Sequence, residues 1–279
     1  MRLYVNSVLP GYDFGCIRLG GDGLANCMLV AARAAILARK MNATLLRPAW
    51  ERIGIGQWLR HEKDKRYYFN LFKQDHKVGG LKKVFILVTN RHYKENSADH
   101  VVNGIVDVEG LGGYFSDLWG NGDVVKEYFS ENILSQAIAA VPKKMDDAIA
   151  IHVRLGDNPG KWRTDLGWYV DVIKSINEVD DNARFLLFSD GADEELSSLL
   201  SLPRVNRVFY GNALADMIAM SRCKLLLGAD STFSGWAAFL GDVPCVFSHL
   251  HYGAVLEDRE RCLIGASIDH IRKWLKTMI

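Results

Sequence analysis

The chain reads as an α/β protein built on parallel sheets, and three observations carry that reading. An apolar run, Ala148-Ile149-Ala150-Ile151, ends abruptly in His152-Val153-Arg154-Leu155-Gly156-Asp157. From Ala148 onward strands and helices alternate, which is the pattern of a parallel sheet. Near the start, a strand, a glycine-rich loop, an Ala- and Leu-rich helix and a second strand make a β-loop-α-β unit.

With 279 residues the chain is at the size where single cores split, so two domains are expected. The polar break Pro142-Lys143-Lys144-Met145-Asp146-Asp147 sets the boundary. Residues 1–143 then form the first domain and residues 144–279 the second.

The first domain opens on a strand over Met1 to Asn6. Gly20-Gly21-Asp22-Gly23-Leu24-Ala25-Asn26 makes the loop, Cys27 to Asn42 the helix and Ala43 to Leu46 the next strand. From about Trp50 to Asp123 the pattern is less regular. Val84 to Thr89 reads as a strand and Gly110 to Gly122 as a loop carrying Tyr114, Phe115 and Trp119. Val124 to Val141 reads as an amphipathic helix.

The second domain runs strand Ala148 to Val153, helix Gly167 to Asn177, strand Arg184 to Phe188 and helix Glu194 to Leu200. It continues with strand Val205 to Tyr210, helix Ala213 to Ser221, strand Lys224 to Gly228, helix Gly235 to Leu240 and strand Val243 to Phe247. The amphipathic helix Ile268 to Met278 ends the chain, with packing back onto the first domain left open.

Composition excludes several classes. Apolar content of 49% and charged content of 24% fit a soluble globular protein. A net charge of +1 gives no support to a nucleic-acid partner, so any anion site is local. The five cysteines are scattered, with no CxxC, which argues against a disulfide framework or zinc site and for a reducing compartment. There is no signal-peptide pattern and no apolar stretch of the roughly 18 residues that span a bilayer. A cytoplasmic protein is expected. Basic residues mix with Trp50, Trp58, Tyr67, Tyr68 and Phe69 between Arg47 and Lys83. That segment reads either as a solvated face or as a weak peripheral contact with the inner face of a membrane.

The chemistry-bearing residues sit just past the predicted strands, where open α/β sheets place ligands. His152 and Arg154 alternate with Val153 and so project to one side. Arg154 offers a planar fork suited to phosphate oxygens. Ser189 and Asp190 follow the next strand. Ser231, Thr232 and Ser234 stand before a helix, where hydroxyls and unpaired amides make an anion site or a simple cap. With Arg154 they suggest a diphosphate. Asp216 either faces solvent or accepts paired donors such as the edge of a guanine. The glycine loop has Asn26 where a dinucleotide fingerprint would have its third glycine, and no Walker lysine. No Asp-x-Asp motif stands at a suitable strand end, so no metal is expected. His249 and His251 lack an evident third ligand and read as loop histidines.

These motifs together resemble a family. His152-Val153-Arg154-Leu155-Gly156-Asp157 resembles the His-x-Arg-Arg-Gly-Asp motif of α-1,2-fucosyltransferases, glycosyltransferase family 11, and related GDP-fucose-using enzymes. Gly23-Leu24-Ala25-Asn26-Cys27-Met28 is similar to that family's Gly-Leu-Gly-Asn-Gln-Met, and Phe188-Ser189-Asp190 to its Phe-Ser-Asp. Asp230-Ser231-Thr232-Phe233-Ser234-Gly235-Trp236-Ala237-Ala238 resembles its closing block. The resemblance implies a GT-B fold, two Rossmann-like domains facing a cleft with the donor in the second. It implies inverting, metal-independent transfer from GDP-fucose to a glycan hydroxyl. By position, Arg154 would bind the diphosphate and His152 would lie beside the nucleotide. Asp216 would read guanine, with Asp190 also on the donor side. Ser231, Thr232 and Phe233, with Ser234, would hold phosphate and ribose. Asp22, Gly23 and Asn26 would face the sugar or acceptor.

Arg154 is the expected catalytic cation. Asp157 is the first candidate for a base and Asp22 the second. Leu155 departs from the family's second arginine, Ala25 and Cys27 from its Gly and Gln, and Gly235 from its Trp. Those departures touch sugar and acceptor more than nucleotide. The competing readings are a transferase of the same fold with another nucleotide sugar and a nucleotide- or glycan-binding protein without turnover.

Overall fold

The computed structural model describes residues 2–54, 67–73, 78–156 and 163–278. It divides into two compact units, Met1–Ala137 and Ile138–Ile279.

In the first unit the strands and helices in chain order are β1 (Leu3–Val8), β2 (Tyr12–Asp13), β3 (Ile17–Leu19), α1 (Leu24–Lys40), β4 (Thr44–Leu45) and β5 (Glu51–Ile53). They continue with α2 (Gly80–Thr89), β6 (His92–Lys94), β7 (Gly104–Glu109) and α3 (Gly122–Asn132). The main sheet has the order β4-β1-β7-β6 with every pair parallel. A small sheet, β2-β3-β5, lies apart from it. The glycine loop therefore follows β3, not the opening strand. α1 starts at Leu24 because Gly23 is extended there and the Tyr68 hydroxyl accepts the Leu24 N–H at 3.0 Å.

Two readings of this unit are corrected. Val84 to Thr89 lies in a helix. Its β-branched composition favours a strand, but the buried residues are Lys83 and Ile86, one helical turn apart. The helix read over Val124 to Val141 ends at Asn132. Ile133 turns extended there to bridge Phe72, and the Leu134 N–H goes to the Leu71 carbonyl at 3.0 Å. A further 3-10 turn covers Ser135–Ile138. Tertiary pairing overrides the helical periodicity.

The second unit runs β8 (Met145–Val153), α4 (Leu166–Asn177), β9 (Arg184–Ser189), α5 (Ser197–Leu200), β10 (Val205–Arg207) and α6 (Ala213–Met220). It ends with β11 (Cys223–Gly228), α7 (Thr232–Gly241), β12 (Cys245–Phe247), β13 (Cys262–Ile264) and α8 (Ile268–Met278). The sheet order is β10-β9-β8-β11-β12-β13, all parallel. This is the doubly wound order, in which the chain starts at the centre and reverses between β8 and β11. β8 is buried on both faces over Ala148–Val153, which explains its unbroken apolar run. Ile149, Ile151 and Val153 join Tyr169, Val172 and Ile173 of α4 in one core. Ile271, Trp274 and Leu275 of α8 belong to that same core, so the terminal helix packs within the second unit.

Candidate functional site

The switch between β8 and β11 sets the loops after these two strands side by side. The sequence then decides what they present.

His152 is the penultimate residue of β8 and is buried. Its Nδ1 lies 2.6 Å from the Ser234 hydroxyl oxygen, which also accepts the Ala229 N–H at 3.1 Å. The Phe233 ring tilts against the imidazole, centroids 5.2 Å apart. Burial pulls the His152 pKa down to about 4; the Asp190 carboxylate draws it up and the Arg154 guanidinium pushes it down. His152 is therefore neutral at physiological pH.

Arg154 follows directly, half-buried, where the chain leaves the sheet. The loop there is held by three hydrogen bonds, to Asp190 and Arg163. The Asp190 Oδ1 accepts the Leu155 N–H at 2.8 Å and the Gly156 N–H at 3.2 Å. Arg163 donates to the Leu155 carbonyl. A Cβ at Gly156 would come within 2.7 Å of the Asp190 carboxylate, so this close approach needs glycine. Leu155 turns into the core cluster, which accounts for an apolar residue where the family carries a second arginine. Asp157 lies outside the described residues.

Across the switch, Ser231 caps α7, its hydroxyl accepting the Phe233 N–H at 3.2 Å. Thr232, Phe233 and Ser234 form the first turn of that helix, which begins earlier than the expected Gly235. An extended, capped helix start beside Arg154's strand end concentrates positive potential from the helix dipole and its amides. Ser234 is fully buried and serves as the strut under His152.

Asp216 stands in the first turn of α6, after the Asn212 cap. Its Oδ1 accepts the Tyr210 N–H at 2.7 Å and so shapes the loop that carries the exposed Phe209.

One cluster was not foreseen. Asp230, two residues past the end of β11, has a fully buried carboxylate. Its Oδ1 accepts the His251 N–H at 3.2 Å and lies 2.8 Å from His251 Nδ1. His249 Nε2 stands 3.5 Å from Oδ2. The Tyr252 hydroxyl donates to the Ser231 carbonyl at 2.8 Å. The loop after β12 is thus strapped to the start of α7. The pairing of β12 with β11 makes the two histidines meet Asp230, and strand order is what the sequence does not spell out. Among the described residues, no group of three or more His, Cys, Asp or Glu side chains is arranged to hold a metal ion.

In the first unit, Asp22, Gly23 and Asn26 surround the start of α1. Asn26 Nδ2 donates to Asp22 Oδ2 at 3.2 Å. The buried Arg18 holds the loop by donating to the carbonyls of Pro10 at 2.6 Å and Gly20 at 3.1 Å. Gly21, at φ +81°, is fixed as glycine because a Cβ would sit 1.8 Å from the Pro10 oxygen.

The fold is mixed α/β with parallel main sheets, of the GT-B type. Residues 116–246 match the family model described as glycosyl transferase family 11, which bears out the resemblance carried by the motifs at His152, Phe188 and Asp230. The Gly23-Leu24-Ala25-Asn26 motif lies before the matched segment. Among solved structures, the chain is similar to the fucosyltransferase NodZ from Bradyrhizobium, with 15% identity, a TM-score of 0.54, and 88% of this chain and 94% of that one covered. It is also similar to Arabidopsis thaliana FUT1 in complex with GDP, at 16% identity and a TM-score of 0.50, covering 92% and 72%. Escherichia coli heptosyltransferase WaaC with ADP matches at 10% identity and a TM-score of 0.50 over 100% of both chains. No curated protein matches the chain significantly in sequence. No helix among the described residues is long and apolar enough to cross a membrane.

Proposed function

We propose that the chain is an inverting, metal-independent glycosyltransferase that moves fucose from GDP-fucose to a hydroxyl of a glycan acceptor. The observation that carries this reading is the switch-point site, where neutral His152 and Arg154 stand beside the capped start of α7. The family 11 segment, which spans that site, and the GDP-fucose soaked into the α-1,6-fucosyltransferase NodZ support the choice of donor. NodZ forms an α-1,6 linkage, whereas the motifs resemble α-1,2 enzymes, so the linkage rests on the motifs alone.

The acceptor oxygen attacks the anomeric carbon as the bond to the diphosphate oxygen breaks, and the negative charge passes to the leaving GDP. Arg154 meets that charge with two N–H donors, and the amides and dipole of α7 add to it. Neutral His152 holds the α7 start in register rather than supplying a second charge. Asp190 positions the Arg154 loop. Asp216 accepts from the guanine edge, while Ser231, Thr232 and Phe233 line the phosphates and ribose. Asp22, Gly23 and Asn26 serve the sugar and acceptor. Asp157 is the first candidate for the base, with Asp22 second.

The test is a donor screen that follows hydrolysis and transfer with GDP-fucose, GDP-mannose and UDP-sugars. Turnover confined to GDP-fucose supports the proposal. Turnover with a UDP-sugar instead, or GDP binding without turnover of any donor, overturns it.

A further inference from the structure

Helix α2 turns its apolar side outward. Leu81, Phe85 and Val88 recur at i, i+4 and i+7 and are 88%, 67% and 80% exposed. A helix on a globular surface normally points such a stripe at the core. Here the inward side is served by Ile86 and by buried Lys83, whose Nζ pairs with Asp13 at 2.5 Å. The turn between β2 and β3 packs against the helix start, with the Gly80 N–H donating to the Gly15 carbonyl at 3.3 Å. That turn adds Phe14, 55% exposed. An outward apolar stripe of this size marks an interaction surface.

Charge decides the partner. From Lys77 to Lys94 the sequence has five basic residues and no acidic one. Lys82 on the helix, and Arg91 and Lys94 just after it, are exposed. Apolar side chains flanked by the exposed Lys82, Arg91 and Lys94, with the nearby Asp13 carboxylate neutralised by Lys83, fit an anionic lipid surface, where the rings and aliphatic chains enter the interface and the bases meet headgroup phosphates.

We propose that α2, with Phe14, is a membrane-docking face that seats the first unit on an anionic bilayer surface. The face lies in the first unit and the donor residues lie in the second, so vesicle binding and GDP binding are read separately.

The experiment is co-sedimentation of the full chain with vesicles of phosphatidylglycerol and phosphatidylcholine, against pure phosphatidylcholine. The expected result is binding to the anionic vesicles that weakens with added salt. Leu81→Ser with Phe85→Ser lowers it more than tenfold, because each side chain loses its apolar transfer. Lys82→Glu lowers it about fivefold or more. Since all three positions are solvent-exposed, melting temperature and GDP binding stay at the parent's values. Absence of binding, equal binding to both vesicle types, or unchanged binding by the variants overturns the proposal. So does self-association without vesicles that the Leu81→Ser, Phe85→Ser variant abolishes, since a second copy would then cover the face.

Discussion

His152 and Ser234 are 82 positions apart in sequence and 2.6 Å apart in space, joined by one hydrogen bond beneath the site. The same hydroxyl satisfies the Ala229 N–H, so Ser234 ties β8, β11 and α7 at one point. Ser234→Ala leaves two buried polar groups without their partner. The expected loss is about 2 kcal/mol of stability by denaturant unfolding, with weaker GDP affinity. A variant as stable as the parent would remove this strut from the account.

The pH dependence of stability follows from His152. Its pKa is held down to about 4 by burial, against an unfolded value of 6.5. Between these values the unfolded chain binds a proton that the folded chain does not. Stability is therefore full above pH 6.5 and falls as pH drops toward 4, by about 2 kcal/mol at pH 5. Thermal melts across this window should show the loss, and His152→Gln should flatten it relative to the parent.

Arg154→Lys is expected to disable turnover nearly as fully as Arg154→Ala, about a hundredfold or more. Lysine keeps the charge and loses the fork. The fall should appear in kcat more than in GDP affinity, as for a contact that strengthens in the transition state. Initial rates, GDP titration and melting temperature of both variants check this; near-normal turnover with lysine would take Arg154 off the catalytic list.

Asp216 holds its own loop and, in the proposed reading, accepts from the guanine edge, and one substitution separates the two. Asp216→Asn retains an oxygen for the Tyr210 N–H, 2.7 Å away in the parent. Its melting temperature should stay close to the parent's. Preference for GDP over UDP should drop about tenfold or more, because a guanine-reading carboxylate has been lost. Unchanged preference would confine Asp216 to shaping its loop.

Chelation gives the last prediction. Arg154 and the α7 amides meet the diphosphate charge in the proposed reaction, so turnover in EDTA should match turnover without it. Loss in chelator that Mg²⁺ or Mn²⁺ restores would contradict the mechanism.

Where side-chain pattern and fold coincide, the sequence was readable. β8 showed itself because burial on both faces demands an unbroken apolar run, and α8 because its amphipathic spacing is complete. The motifs after β8, β9 and β11 pointed to one sheet edge, and the strand order puts them there. β7 stayed hidden although it pairs with β1 along its length, since Asp107 and Glu109 interrupt its apolar run and the hydrogen bond that Asn6 of β1 donates to Asp107 is long-range. α2 was misread because its apolar residues face solvent, which reverses the usual rule. The grip of His249 and His251 on Asp230 depends on which strands are neighbours, and no local pattern encodes that.

The reversal of strand order at β8 also bears on how the protein acquires its site. β8 pairs with β9 on one side, yet its other edge waits for β11, which is made only after α4 through α6 have been traversed. Parallel pairing over such chain separations closes large loops and is slow. Nucleotide affinity should therefore arrive as a late, single event during refolding, a direct clock for the moment when β11 seats against β8.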